Sequence, residues 1–285
     1  MVFPNYSIVP PNLREQVALA LAEDIGCGDQ TAVLIPEGRL ASATVKVRET
    51  AILCGQPWFE AVFEQLDASV ELRWHAAEGA LIEPDTLVAS LRGPARALLT
   101  GERTALNFLQ TLSAVATQTR RFTDAVAGCR VQIVDTRKTL PGLRLAEKYA
   151  VRVGGGTNHR LGLYDGILIK ENHIVAAGSL AAAIQQALIA APPGVFVEVE
   201  VETLAQLEEA LLAGAPMILL DNMTLAQQHQ AVALGQGRAI LEVSGGVTLN
   251  TVRAIALTGV DRISVGSLTK DINAVDFSMR FQLDE

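Results

Sequence analysis

Nowhere in its 285 residues does the sequence gather enough uninterrupted apolar residues to cross a bilayer. The least charged stretch, Ala176 to Ala191, carries Gln185 and Gln186 and falls short of the roughly 20 residues that a spanning helix needs. A basic surplus is missing too: 23 Lys and Arg face 31 Asp and Glu, for a formal net charge of -8. General binding to nucleic acid or to a membrane surface therefore has no electrostatic basis. The opening MVFPNYSIVPPN lacks a basic region and a sustained apolar stretch, so no secretion signal is expected. Cysteine is scarce, and Cys27, Cys54 and Cys129 stand too far apart for a metal or redox motif. Free buried thiols in a reducing cytoplasm are the expectation. No low-complexity segment and no Ser- or Gly-rich linker interrupts the chain.

What is present is ordinary globular composition, 49% hydrophobic and 19% charged. The length suits one large domain or two smaller ones and allows a generous core. The second half repeats one theme. Six β-prone runs end in polar or glycine residues, and a helix-like stretch follows each: residues 131–135, 166–170, 195–201, 217–221, 239–243 and 262–265. Between them, Leu204, Leu207 and Leu211 share a helical face. Thr203 with Gln206, and Thr224 with Gln227, have the capping-box form, in which each side chain satisfies the other residue's terminal N–H. Ser179 is placed to cap a helix with inner face Leu180, Ile184 and Leu188. Strands alternating with helices imply a parallel sheet and suggest a β/α barrel, although periodicity does not decide whether it closes.

The first hundred residues differ. A short helix is expected over residues 12–23 and another over 56–66. The alternation at Ala43, Val45 and Val47, and at Val70, Leu72 and Trp74, suits a half-exposed sheet. A strand near residues 86–91 leads to Gly93-Pro94 and a long helix near 95–127. The fold class is thus α/β, a small N-terminal α/β sandwich (residues 1–112) followed by a β/α barrel, complete or incomplete (residues 113–271). Residues 1–9 and the last few are expected to be disordered.

In β/α barrels the chemistry collects at the C-terminal ends of the strands. Reading those ends in order yields Asp135-Thr136-Arg137-Lys138, then Lys170-Glu171-Asn172-His173, then Glu198, Glu200 and Glu202. Asp221-Asn222, Ser244-Gly245-Gly246 and Val265-Gly266-Ser267 follow. Cations come first, carboxylates next and glycine turns last, an order that suits a polyanionic substrate with a divalent metal. Residues 101–170 hold eleven Lys and Arg against five acids, within an acidic protein. Helix-surface arginines such as Arg120, Arg121 and Arg130 need only water. The strand-end pair Arg137 and Lys138 calls for an anion, because an unpaired buried cation is costly. The alternating Glu198, Glu200 and Glu202 share one strand face, solvated on an edge strand but aimed at the centre or mouth of a barrel. Asp221 closes an apolar run as a metal-binding acid often does, and these carboxylates fit a Mg²⁺ that takes one or two of them and completes its shell with substrate phosphate, although the spacing does not single out a metal. The two last glycine turns are phosphate-binding candidates. The Gly154–Gly156 run reads as a flexible turn. His159 alone would be structural, but beside Arg160 it reads as an anion contact.

The blocks DTRKTLPGLR (135–144), EKYAVRVGGGTNHRLGLYDGILIKENHI (147–174), EVEVET (198–203), LLDN (219–222), SGG (244–246) and VGSLT (265–269) resemble the quinolinate phosphoribosyltransferase family. EDIGCGDQT (23–31) and ERTALNFLQ (102–110) resemble its N-terminal blocks, so the likeness runs in order from about residue 10 to the end. It implies conversion of quinolinate and phosphoribosyl pyrophosphate to nicotinate mononucleotide, pyrophosphate and CO₂, with Mg²⁺, in NAD biosynthesis. Arg103, Arg137, His159, Arg160 and Lys170 would surround the substrate carboxylates, with Arg103 supplied across a homodimer interface, and Thr136 would also bind substrate. Lys138 would sit between quinolinate and the ribosyl group. Glu200 and Asp221 would hold Mg²⁺–pyrophosphate, and Ser244, Gly245, Gly246, Val265, Gly266 and Ser267 the 5′-phosphate. The resemblance also returns residues 272–285 to the N-terminal domain. Three rivals are a molybdate-uptake-linked paralogue of the same fold, a Schiff-base aldolase using Lys170, and a non-catalytic phosphoribosyl-ligand sensor.

Overall fold

The structure is a computed structural model that describes residues 9–284. The disorder expected for the termini falls, for residues 1–8 and 285, outside the described residues. In chain order the elements are α1 (Leu13–Ile25), β1 (Leu40–Val47), β2 (Ala51–Ile52), α2 (Gln56–Leu66), β3 (Glu71–Trp74), β4 (Leu81–Ile82), β5 (Leu87–Pro94) and α3 (Ala95–Ala125). They continue with β6 (Gln132–Val134), α4 (Arg144–Val153), β7 (Gly166–Ile169), α5 (Glu171–Ala177), α6 (Leu180–Ala190), β8 (Phe196–Val201) and α7 (Leu204–Leu212). The chain ends with β9 (Met217–Asp221), α8 (Leu225–Gly235), β10 (Ile240–Ser244), α9 (Val252–Ala256), β11 (Arg262–Ser264), α10 (Ser267–Lys270) and β12 (Phe277–Leu283). No single helix among the described residues is long and apolar enough to cross a membrane.

The described residues divide into two compact units, residues 9–120 with 140–155 and 271–284, and residues 121–139 with 156–270. The division differs from the sequence boundary at 112/113. It falls inside α3, one continuous helix whose sequence carries no break. Residues 140–155 also join the first unit. There α4 buries Ala146, Ala150 and Val151, and Tyr149 donates to Glu78 Oε1 at 2.9 Å and packs on Trp58 at 5.2 Å between centroids.

The first unit holds an antiparallel sheet in the order β12-β1-β5-β3. Alternation explains it: β1 buries Ala41, Ala43, Val45 and Val47 and leaves their neighbours partly wet. The C-terminal strand pairs with β1 along its length, from Ala41↔Leu283 to Val47↔Phe277. Trp58, Phe59 and Phe63 on α2 are fully or almost fully buried. Trp58 keeps its indole N–H satisfied by donating to Gln16 Oε1 at 2.9 Å.

The second unit is a parallel sheet of six strands in the order β6-β11-β10-β9-β8-β7. This is the cyclic order of a β/α barrel, with the first strand brought beside the last. Six strands rather than eight leave β6 and β7 as ends not paired with each other, apart from a parallel bridge of Val134 to Thr157. Each of the six strands starts and ends within one residue of its expected run. Both capping boxes form: Gln206 N–H donates to Thr203 Oγ1 at 3.2 Å and Gln227 N–H to Thr224 Oγ1 at 3.3 Å. Ser179 Oγ accepts from Ala182 N–H at 3.1 Å, capping α6. The α6 inner face is Leu180, Ile184 and Ala187, whereas Leu188 is 37% exposed. Its smaller neighbour fits against the sheet instead.

Candidate active site

The strand ends of the parallel sheet gather the expected cations, acids and turns on one rim of the second unit. Thr136 Oγ1 accepts the N–H of Lys138 at 3.0 Å, and Thr269 Oγ1 donates to the Lys138 carbonyl at 2.8 Å, which shapes the turn after β6. The Lys138 stem lies over Gly266, where an added Cβ would stand 3.2 Å from Lys138 Cδ. Any larger residue at 266 would push the lysine aside. Gly266 and Ser267 open the last turn, but Val265 does not face it. Its side chain is buried and its N–H donates to Val134 O at 2.8 Å, so the backbone donor expected for phosphate there serves the sheet.

Asp135 organises the neighbouring loop. Fully buried at the end of β6, it accepts from Asn158 Nδ2 at 2.6 Å through Oδ2 and from His159 N–H at 2.9 Å through Oδ1. One carboxylate thus ties residues 157–160 to the strand that delivers Arg137. Arg137 and Arg160 are near enough that Arg137 helps lower the Arg160 pKa, after the larger effect of burial. Arg160 Nη1 donates to Gly166 O at 3.1 Å. Arg137 Nε is buried without a hydrogen-bond partner among the described residues. Arg137 thus keeps an orphaned buried donor, and its charge is felt at the Arg160 guanidinium, an arrangement that a bound anion would relieve.

Next to this pair, Lys170 Nζ donates to Glu200 Oε2. The His173 ring accepts the Lys170 N–H through Nδ1 at 3.0 Å, which caps α5 and accounts for the Lys170–His173 spacing. The Asp221 carboxyl is pushed upward by burial first and by Glu200 second, while Lys170 and Lys138 oppose the shift. Glu200 and Asp221 are therefore neighbouring hard oxygen donors in mutual repulsion, the chemistry that a divalent cation relieves, so the residues present fit Mg²⁺. The glutamates of β8 are graded by depth: Glu198 is fully buried, Glu200 half-buried and Glu202 exposed. The turn after β10 is tight. Gly245 (φ +99°) packs so close to Asn222 that a Cβ would meet its Oδ1 at 2.1 Å, whereas Gly246 (φ +59°) faces open space.

Sequence reasoning did not pick out the polar layer beneath. His159 Nε2 lies 2.8 Å from Glu198 Oε2 and 3.7 Å from Glu242 Oε1, and Arg262 Nε lies 3.1 Å from Glu242 Oε2. All four residues are buried. Burial pushes Glu198 up to about 7, against the pull of Arg262, and pushes Glu242 up to about 7, reinforced by Glu198. His159, Glu198 and Glu242 present ligand atoms close enough for a metal. The Arg262 guanidinium already neutralises Glu242 there, so an ion-pair network is the better description. Its signal was a charged residue inside each of two apolar strands, at Glu242 and Arg262, which are register partners on β10 and β11. Arg103 lies apart from these groups in sequence, exposed on α3 in the first unit.

Comparison with known proteins matches this chain to two family models. "Quinolinate phosphoribosyl transferase, N-terminal domain" covers residues 29–113 and "Quinolinate phosphoribosyl transferase, C-terminal domain" residues 115–280. A probable nicotinate-nucleotide pyrophosphorylase (carboxylating) of Bacillus subtilis is 44% identical over 90% of this chain and 89% of its own length. The nicotinate-nucleotide pyrophosphorylase (carboxylating) of Mycobacterium leprae is 39% identical, over 93% and 96% respectively. Among solved structures, the nicotinate-nucleotide pyrophosphorylase of Francisella tularensis superposes with a TM-score of 0.94 at 42% identity, over 99% of this chain and 100% of that one.

Proposed function

Since the chain belongs to the quinolinate phosphoribosyltransferase family, we propose that it transfers the phosphoribosyl group of phosphoribosyl pyrophosphate to quinolinate, releasing pyrophosphate and CO₂ and leaving nicotinate mononucleotide. The observation that carries this reading is the Arg137–Arg160 pair with its orphaned Nε, a seat for two adjacent carboxylates. Nothing in it requires an organic cofactor. Lys170 is engaged with the Glu200 carboxylate rather than offered as a free amine, which disfavours the Schiff-base alternative.

In this reading Arg137, Arg160 and Lys170, with Thr136 shaping the turn, orient the dianion so that the pyridine nitrogen faces the ribosyl C1 carbon. Lys138 reaches over Gly266 toward the join between the two substrates. The nitrogen lone pair forms the new bond to C1 as the bond to pyrophosphate breaks, and the pyrophosphate keeps that electron pair. Lys138 and Lys170 stabilise the negative charge that develops. The ring nitrogen, now cationic, stabilises the electron pair left on the adjacent ring carbon as its carboxylate departs as CO₂, and solvent supplies the proton that replaces it. Glu200 and Asp221 would hold Mg²⁺, which supplies charge neutralisation on the pyrophosphate. The turns at Ser244–Gly246 and Gly266–Ser267 would receive the 5′-phosphate. A homodimer in which Arg103 serves the partner's site belongs to the same proposal. So does a cytoplasmic location, supported by three cysteines that are all free, although only Cys54 is buried as expected while Cys27 is exposed and Cys129 half-buried.

The test is an assay with quinolinate, phosphoribosyl pyrophosphate and Mg²⁺ that follows pyrophosphate and CO₂ together, with nicotinate run in parallel. Equimolar release from quinolinate, and none from nicotinate, is the expected outcome. A folded, Mg²⁺-supplied sample that fails to turn over quinolinate would overturn the proposal.

A further inference from the structure

The ring of His159 has both nitrogens engaged inside the protein. Its Nδ1 lies 2.7 Å from the backbone N of Arg160, and its Nε2 lies 2.8 Å from Glu198 Oε2. A backbone N–H only donates, so Nδ1 must accept and the ring proton must sit on Nε2, directed at Glu198. A doubly protonated ring would lose the Arg160 bond. The residue is also held from its sides: its backbone N–H donates to Asp135 Oδ1 at 2.9 Å, and Phe196 lies edge-on to the ring at 5.4 Å between centroids. His159 is 7% exposed. The anion contact expected of it from its place beside Arg160 therefore does not run through a free ring nitrogen.

We propose that Glu198 is a positioning residue for dicarboxylate binding: it holds the His159 ring as the Nε2–H tautomer, and Nδ1 of that ring fixes the main chain of Arg160. The inference rests on the dicarboxylate reading of the Arg137–Arg160 pair. The Arg160 side chain leaves the fold between this fixed backbone and Gly166, where an added Cβ would meet Arg160 Cβ at 3.1 Å. Its guanidinium then reaches the Gly166 carbonyl at 3.1 Å. Rotation of the His159 ring would release the Arg160 N–H and carry the guanidinium away from Arg137. A Glu at 198 is required only as an acceptor at one point, so the isosteric amide meets the need and an apolar chain of equal length does not.

The experiment compares full-length wild type with Glu198→Gln and Glu198→Met, measuring quinolinate and phosphoribosyl pyrophosphate binding separately by calorimetry. Quinolinate binding to Glu198→Met is expected to weaken about tenfold, equivalent to about 1.4 kcal/mol, with phosphoribosyl pyrophosphate affinity unchanged and Glu198→Gln restoring wild-type quinolinate affinity. Histidine-¹⁵N labelling provides a second readout in wild type, with the His159 signals assigned by their loss in His159→Gln. Nε2 protonated and Nδ1 bare, with and without quinolinate, is the expected result. Unchanged quinolinate affinity in Glu198→Met, or equal weakening of both ligands, would overturn the assignment. So would a ring that moves its proton to Nδ1 when quinolinate binds. Should Glu198→Met not fold, the ring tautomer and the Glu198→Gln affinities still decide. The tautomer without ligand does not depend on turnover, so an inactive wild type would sink the activity reading and leave this one to be judged separately.

Discussion

The charge of Arg137 disfavours that of Arg160, and a protein tolerates such a pair where an anion offsets it. Arg160 illustrates the strain: burial, then Arg137, both work against its charge. Arg137→Ala is therefore expected to fold normally and to lose on the order of a hundredfold in kcat/KM for quinolinate, since a charged hydrogen bond is worth about 1.5–3 kcal/mol. Arg137→Lys should recover only part of that, because an ammonium lacks the planar fork that meets two oxygens at once. Steady-state kinetics beside a thermal melt check both, and near-normal kcat/KM in the alanine variant would count against the seat. The buried layer makes a different kind of statement, about stability. Glu242 is raised from 4.5 to about 7 by burial first and then by Glu198. Between those values the folded state keeps a proton that the unfolded chain has released, so this contribution is fully present below the unfolded value and is lost as pH rises through about 7. Wild type should lose melting temperature from acid to neutral pH, and Glu242→Gln should show a shallower fall. Parallel melting curves for the two proteins would show that Glu242 does not carry the effect.

At the level of elements, the glycine turns make the sharpest prediction because two adjacent residues answer differently. At Gly245 a side chain meets both an unfavourable φ of +99° and Asn222 Oδ1 at 2.1 Å, while Gly246, with φ +59° and open space, carries only the smaller left-handed cost. Gly245→Ala should displace the Asp221-Asn222 turn and raise KM for phosphoribosyl pyrophosphate well above that of Gly246→Ala; equal KM values would detach this turn from the phosphate. The same contrast shows what was legible in sequence. Strands and capping boxes were readable because their signals are local: alternation along β1, an apolar run ending at Asp221, Thr203 three residues before Gln206. The rim inventory was readable because parallel strands send their C-terminal ends one way. Leu188 misled because helical spacing alone does not say which of two neighbouring apolar residues, Leu188 or Ala187, fits the space against the sheet. Val265 misled because its N–H is needed by Val134, a register fact that exists only once β11 lies beside β6. The layer of His159, Glu198, Glu242 and Arg262 stayed hidden because its members come from four separated segments, and only the sheet order brings them together.

At the scale of the whole molecule the question is where Arg103 acts. It is exposed on α3, within the first compact unit, while Arg137, Arg160 and Lys170 belong to the second. An exposed arginine on a helix is stable in water and gives no sign of its purpose within one chain. In a two-fold dimer the same patch recurs on both subunits, so a residue lent to the partner's site is repaid by its equivalent. Subunit mixing tests this directly. An Arg103→Ala chain keeps a complete strand-end site but lends no arginine, and an Arg137→Ala chain lends Arg103 but has a crippled site. Each homodimer should be nearly inactive. In a mixed dimer with contribution across the interface, the strand-end site of the first chain meets Arg103 of the second and becomes complete, while the other site carries both defects. Random mixing makes half of the dimers hybrid, so activity should recover to about a quarter of the wild-type level. If Arg103 serves its own chain, both hybrid sites remain defective and mixing restores nothing. If Arg103 has no part in binding, the Arg103→Ala homodimer is already active before any mixing.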